Sequence, residues 1–299
     1  MYKKMKQKIF TALKCRHFFD FLPDKIYLKL MYHVLMDRKL DLKNPRTFNE
    51  KLQWLKLYNR NPLYTTMVDK YEVKSYVSSI IGSEYIIKTL GIYEDFDDID
   101  FSKLPDRFVI KCTHDSGGVV ICKDKSKFDI SKARKKINEC LKSNFYFMGR
   151  EWPYKNVKPR IIIEEFLDNH DNNDLNDYKF MCFNGKFKCS FVCTERRSDD
   201  GLKVTFFDKN WNVMPFERHY SKSKKKIEKP KNYNKMIELS EKLAKEMPFV
   251  RIDFYEVEGK IYFGEITFFP GNGTEEFTPE KYDYVLGSWI RLPKVKNEK

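Results

Sequence analysis

Residues 250–273 read VRIDFYEVEGKIYFGEITFFPGNG. Two apolar-rich runs, 250–257 and 260–268, flank Glu258-Gly259, and short β-type segments joined by such a pair fold as a hairpin. Asp253 and Glu265 lie one on each run, so the alternation of pleated strands lets both carboxylates project from one face. Arg251 shares the face of Asp253 by period two, where a guanidinium can clamp an anion or a developing negative charge. Hard oxygen ligands of this kind suit Mg²⁺, which takes one or two carboxylates plus substrate phosphates. Two carboxylates among Phe, Ile and Tyr are costly to bury without a cation. A surface hairpin carrying paired charges is the alternative.

Upstream, RFVIK (107–111) and VVICK (119–123) are β runs separated by CTHDSGG, a loop with adjacent glycines. Such a loop can fold over a polyphosphate and present backbone N–H groups, with Lys111 placing an ammonium beside it. It is neither a Walker loop nor a Rossmann fingerprint, and an ordinary hairpin turn stays open as a reading. His114 is expected as a solvated loop histidine. IIIEEFL (161–167) reads as a buried strand running into the polar loop DNHDNNDLND (168–177). Carboxylates at the exit of that strand can accept from an adenine amino group, with Phe166 and Leu167 lining the ring. An edge strand ending in solvated carboxylates is the other reading.

The remaining elements complete an α+β pattern of antiparallel strands with helices around them. YKFMCF (178–183) and KFKCSFV (186–192) form a hairpin across Asn184-Gly185, which suits a type I′ turn. Residues 1–60 read as helical, broken at Asn44-Pro45, with Thr47 and Glu50 as a capping box. Further helices are predicted over 67–81, ending at Gly82, over 130–142, and over 233–246. No period of 20–50 residues repeats, which excludes solenoids.

Composition narrows the function classes. The chain has 299 residues, a formal net charge of +14, and 25 Phe, 18 Tyr and 4 Trp, too much apolar surface for a disordered chain. No apolar run approaches the ~20 residues that cross a bilayer. The basic N-terminus lacks an uninterrupted apolar core and a cleavage site, so export is not expected and a cytoplasmic location is. Lys3, Lys4, Lys6 and Lys8 beside Ile9, Phe10 and Leu13 leave open peripheral contact with the inner face of the plasma membrane. Seven cysteines, at 15, 112, 122, 140, 182, 189 and 193, form no CxxC pair, which argues against a zinc site or a disulfide framework. The aromatics fall within apolar strands and no RNP, KH or zinc-finger pattern occurs, so no nucleic-acid partner is expected. The Lys-rich stretch 221–235 reads as a solvated surface.

Taken in order, a Lys-bearing strand, a Gly loop, an EEFL hinge and a terminal RxD…GExT hairpin resemble the ATP-grasp superfamily. TFNEKLQWLK and VDKYEVKSYV are similar to its amidoligase branch associated with teichuronopeptide and capsular polysaccharide synthesis; the resemblance spans residues 45–285. It implies an ATP-grasp fold, two α+β lobes clasping ATP, with a helical region at 1–60, an N-terminal and lid lobe at 61–160, and a C-terminal lobe at 161–299. It implies ATP and Mg²⁺ as cofactors and carries roles over residue by residue. Lys70 neighbours the α-phosphate, and Lys111 with Ser116, Gly117 and Gly118 covers the β- and γ-phosphates. Glu164, Glu165, Phe166 and Leu167 form the adenine hinge, and Asp177 holds the ribose. Arg251 and Lys111 serve catalysis, and Asp253 and Glu265 bind metal. Thr267 stands where the family places Asn, and its hydroxyl is a weaker Mg²⁺ ligand, so either Asn272 of PGNG substitutes for it or the second metal is held less firmly.

The implied reaction is that of a carboxylate–amine ligase: ATP and a carboxylate give an acylphosphate, which an amine captures as an amide. Phosphoryl transfer requires positioning and charge neutralisation rather than a nucleophilic side chain, consistent with the lack of a Ser-His-Asp set. An acidic glycan or lipid-linked sugar, with an amino acid as the amine, is the implied substrate pair, and Arg196-Arg197 lie where a polyanion would be met. A sugar kinase, a glycosyltransferase and a non-catalytic polyanion-binding protein remain as alternatives.

Overall fold

Thr47 and Glu50 close a reciprocal capping box. Glu50 N donates to Thr47 Oγ1 (3.1 Å) and Thr47 N donates to Glu50 Oε2 (3.0 Å), which starts the predicted helix at Phe48. The computed structural model describes residues 2–168, 175–195, 198 and 201–294. Its first half contains helices α1 (Tyr2–Cys15), α2 (Asp24–Met36), α3 (Phe48–Tyr58), α4 (Leu63–Val68) and α5 (Glu72–Ile81), then strands β1 (Thr89–Tyr93), β2 (Phe108–Cys112) and β3 (Val119–Cys122). Helices α6 (Ile130–Leu141) and α7 (Tyr146–Gly149) follow, before strands β4 (Ile161–Glu165), β5 (Asp177–Phe183), β6 (Lys186–Thr194), β7 (Lys203–Phe207) and β8 (Glu217–Arg218). Helix α8 (Tyr233–Leu243), strands β9 (Phe249–Val257), β10 (Lys260–Thr267) and β11 (Phe277–Thr278), and helix α9 (Lys281–Trp289) complete the chain. The α+β class is therefore as expected.

The chain packs into two units. Unit 1 comprises Met1–Asn61, Phe147–Glu151 and Asn176–Lys299, and unit 2 comprises Pro62–Tyr146 and Trp152–Leu175. Unit 2 holds a four-stranded antiparallel sheet in the order β1-β4-β2-β3. The alternating faces of β2 bury Phe108, Ile110 and Cys112, which pack with Ala133 and Ile137 of α6 and with Ile161 and Ile163 of β4. That burial gives about 1.5–3 kcal/mol per large apolar side chain and holds α6 across the sheet.

Unit 1 holds a five-stranded antiparallel sheet, β10-β9-β5-β6-β7, and a two-stranded ribbon, β11-β8. Helix α8 lays Tyr233 on this sheet, where its ring meets Phe180 and its hydroxyl meets Ser190 Oγ at 2.9 Å. Near the N-terminus, Phe10 of α1 is buried against Phe19 and Tyr27, so the apolar face proposed to meet a membrane is partly spent within the protein; Met5 and Ile9 remain exposed. Helix α3 docks on α9: Asn49 N and Nδ2 donate to Asp283 Oδ1 and Oδ2, both at 3.0 Å, and Gly287 leaves room for the Arg46–Phe48 backbone. No helix among the described residues is long and apolar enough to cross a membrane.

Candidate functional site

In unit 2 the single helix predicted over 67–81 is broken. Asp69 Oδ1 accepts the N–H groups of Tyr71 (2.8 Å) and Glu72 (3.2 Å), and Asp69 Oδ2 receives Arg160 Nη2 (2.7 Å). A carboxylate that bonds the local backbone competes with the helix, so α4 ends at Val68 and α5 restarts at Glu72. Lys70 therefore sits on a link rather than a helix face. Its N–H donates to Thr113 O at 3.1 Å and its Nζ donates to Asp115 O, against the loop joining β2 and β3.

That loop is ordered from within. Gly118 N donates to Asp115 Oδ2 (2.9 Å), and Cys112 N donates to Gly118 O (2.9 Å). Gly117 has φ +123°, a conformation side chains rarely adopt, with no atom within 4 Å of a built Cβ, and Ser116 is exposed. His114, expected in solvent, is instead 2% exposed, its Nε2 3.2 Å from Cys140 O, because the loop folds inward onto the end of α6.

Lys111 and Glu164 face one another across the β2–β4 pairing. Lys111 Nζ lies 2.6 Å from Glu164 Oε2, and Lys74 of α5 pairs with Oε1. Burial works to raise the Glu164 pKa, but the ammonium groups of Lys111 and Lys74 outweigh it and hold the carboxyl below its ordinary range. The exit of β4 is thus split by role. Glu164 is buried and committed to two lysines, Glu165 is exposed, and Phe166 stacks under Arg107 with 5.5 Å to the ring centroid. Leu167 is half-buried.

In unit 1 the deciding hairpin forms with one irregularity. From Lys260↔Val257 to Phe263↔Phe254 the register is regular, and then Glu265 rather than Gly264 lies opposite Asp253. Gly264 is the extra residue of a bulge. In an unbroken register Gly264 would face Asp253, and Glu265 would pair with Ile252 and point to the opposite face. The bulge brings the carboxylates together, and Arg251 joins them: Nε to Asp253 Oδ1 and Nη2 to Asp253 Oδ2, both 2.7 Å, and Nη2 to Glu265 Oε1, 2.5 Å.

A residue not picked out by sequence reasoning completes this cluster. Lys179 of β5 lies opposite Asp253 in register, pairs with its Oδ2, and reaches Asp177 Oδ2 at 2.6 Å. The signal was available, because Lys179 follows Asp177 by two residues and so shares its face of the strand. Burial depresses the Lys179 ammonium, and Arg251 adds to that, but Asp177, Asp253 and Glu265 outweigh both and leave its pKa above the ordinary value. Asp253, 1% exposed, is pushed up to about 6 by burial, with Arg251 and Lys179 opposing.

The turn Pro270–Gly273 follows β10 after Phe268 and Phe269. Its Asn272 carbonyl accepts from Gln53 Nε2 (2.7 Å) and Lys56 Nζ (2.9 Å), both on α3, and Lys56 also donates to Gly149 O at 2.8 Å. Burial pushes Lys56 down to about 8 and Glu151 up to about 7. Asn272 Oδ1 is buried with no hydrogen-bond partner among the described residues, and Thr267 Oγ1 lies 3.4 Å from Glu265 Oε1. The carboxylates of Asp253 and Glu265 are hard oxygen donors of the kind that suits Mg²⁺, and Asn272 Oδ1 faces Gly149, where a built Cβ would stand 1.6 Å from it. Arg196 and Arg197, and most of the loop after Asp168, lie outside the described residues.

Solved structures resemble the chain loosely. D-alanine–D-alanine ligase from Helicobacter pylori is 14% identical, with a TM-score of 0.44 over 81% of this chain and 69% of that one. The corresponding ligase from Bacillus anthracis is 18% identical, with a TM-score of 0.41 over 69% of this chain and 58% of that one. The biotin carboxylase domain of Hydrogenobacter thermophilus 2-oxoglutarate carboxylase is 14% identical, with a TM-score of 0.46 over 77% of this chain and 47% of that one. The chain thus spans less than two thirds of the length of the latter two. No curated protein matches its sequence. The sequence model of the TupA-like ATPgrasp family matches residues 50–291, and on that match the chain belongs to the TupA-like ATP-grasp family.

Proposed function

We propose that the protein is an ATP-dependent carboxylate–amine ligase that joins an amino acid to a uronic acid of a cell-surface polysaccharide. The observation that carries the reading is the Arg251–Asp253–Glu265–Lys179 cluster on adjoining strands of a member of this family. Mg²⁺, held by Asp253, Glu265 and Asn272 or Thr267, would supply charge neutralisation to the triphosphate. Arg251 keeps both carboxylates aligned, and Lys179 fixes Asp253 from the neighbouring strand.

In unit 2, Lys70 and Lys111 are the ammonium groups offered to phosphates, with Ser116, Gly117 and Gly118 as the loop covering them. Glu164 orients Lys111, while Glu165, Phe166 and Leu167 remain for the adenine. Asp177 is assigned to the ribose. A carboxylate attacking the γ-phosphate yields ADP and an acylphosphate, and an amine then displaces phosphate to leave an amide. Positioning and electrostatics suffice for this chemistry. The net charge of +14 favours an anionic glycan over a neutral one, and dependence on ATP supports a cytoplasmic reaction.

The test is product analysis with acidic sugars, amino acids and Mg²⁺-ATP. Amide formation with stoichiometric ADP and phosphate is expected, whereas phosphorylated sugar would mark a kinase. Asp253→Asn and Glu265→Gln are expected to abolish turnover while keeping the wild-type circular dichroism spectrum. Lys111→Ala should weaken ATP binding more than Lys111→Arg. Wild-type turnover in both carboxylate variants would refute the assignment.

A further inference from the structure

The cysteine pattern argued against a soft metal site, yet folding brings together two thiols 28 positions apart in the chain. Cys112 ends β2, immediately after Lys111, and Cys140 lies in the last turn of α6. With Asp115 of the intervening loop they form a cluster in which one ligand atom from each lies within 4.8 Å of the others. It is the group of this kind found among the described residues.

Two further observations point to a ligand. Asp115 is 7% exposed; its Oδ2 accepts from Gly118 N, and its Oδ1 has the Lys70 ammonium at 3.8 Å but no hydrogen-bond partner among the described residues. His114 is held against the same turn of α6 by Cys140 O, and its buried Nδ1 also lacks a partner. A buried polar atom without a hydrogen bond is costly, so two of them in one corner of the unit call for an occupant.

We propose that Cys112, Cys140 and Asp115 form a binding site for a thiophilic divalent cation of the zinc class at the root of the β2–β3 loop. Two thiolates and one carboxylate match the softness and donor count of a three-ligand tetrahedral site with one open position. Tetrahedral Zn²⁺ places its ligand atoms roughly 3.5–3.8 Å apart, so the cluster contracts by at most about 1.3 Å on loading. Binding releases the two thiol protons to solvent. Cys112 is fully buried, while Cys140 is half-buried and gives the ion a way in. A loaded site would tie the end of β2, the loop and α6 to one centre. The site shares no residue with the carboxylates of unit 1, and it does not depend on the reading of that set.

The full-length chain, reduced and stripped of metal, is titrated with Cd²⁺ and followed by thiolate–cadmium charge-transfer absorption, with Zn²⁺ as competitor. One Cd²⁺ per chain is expected, displaced by Zn²⁺. Cys140→Ser should weaken binding roughly tenfold or more and halve the absorption, and Asp115→Asn should weaken it while keeping the absorption. Cys15→Ser, on exposed α1, should match wild type. Circular dichroism confirms that each variant is folded, and Cys112→Ser is avoided because its thiol is in the core. Three results overturn the proposal: no charge-transfer band at stoichiometric Cd²⁺, a band unchanged in Cys140→Ser, or a Cys112–Cys140 disulfide formed in air in place of metal binding.

Discussion

Glu164 shows how one side chain is claimed by its neighbours. Its two oxygens are taken by Lys111 and Lys74, and a buried carboxylate with two ammonium partners contributes stability only while ionised. Because its folded pKa is depressed, that contribution is complete above the unfolded value of about 4.3 and fades as pH falls through the folded value. Glu164→Gln should cost about 3 kcal/mol at neutral pH by leaving two lysines half-buried and unpaired. The gap in melting temperature between variant and wild type should close below about pH 4. A gap that persists in acid would show that packing, not charge, is lost. Lys179 carries the complementary lesson: its position two after Asp177 was readable, but its pairing with Asp253 required the β5–β9 register.

Gly264 and Gly287 govern elements rather than contacts. A Cβ at Gly264 would stand 3.2 Å from Asp253 O and 3.1 Å from the Tyr255 ring. Gly264→Val should push the bulge out of register, cutting Mg²⁺-dependent turnover by roughly tenfold or more for a loss of about 1–2 kcal/mol in stability. Proportionate loss of both, read by turnover and thermal melting together, would deny the bulge its aligning role. A Cβ at Gly287 would meet Arg46 O at 2.3 Å, so Gly287→Ala should separate α9 from α3 and cost about 2–3 kcal/mol, checked by urea unfolding. Asp69 acts in the same way on α4 and α5: its side chain ends one helix so that Lys70 can face the β2–β3 loop.

Residues 1–61 belong structurally with 176–299. Asn49, Gln53 and Lys56 of α3 donate to the carbonyls of Glu275, Asn272 and Gly273, and Asn49 also satisfies the buried carboxylate of Asp283. Deleting residues 1–61 strips these donors at once and bares the apolar surface beneath them. The truncated chain is expected to be insoluble or to lack a cooperative melting transition, as read by soluble yield and circular dichroism. A truncated protein that melts like wild type would show that unit 1 closes without α1–α3. At this level the positive charge acts too: initial rates on an anionic glycan should fall as salt is raised, whereas rates on a neutral analogue should not.

The amino-acid pattern was enough for strands β2–β6, β9 and β10, most helices, the capping box at Thr47 and the two hairpins, because each rests on periodicity, a turn pair or a cap within a few residues; β1, β7, β8 and β11 and helices α7 and α9 were not read from it. It also placed Arg251, Asp253 and Glu265 on one hairpin and Lys111 on the strand before the Gly loop. What it left open depends on contacts between distant segments. Whether Glu265 faces Asp253 turns on a one-residue bulge, and which loop Lys70 meets turns on the packing of its link against Thr113 and Asp115. The burial of His114, the double pairing of Glu164, and the meeting of Cys112 with Cys140 likewise arise only when strands and helices pack. Local propensity acts over a handful of residues, while registers and ion pairs are selected by the whole unit.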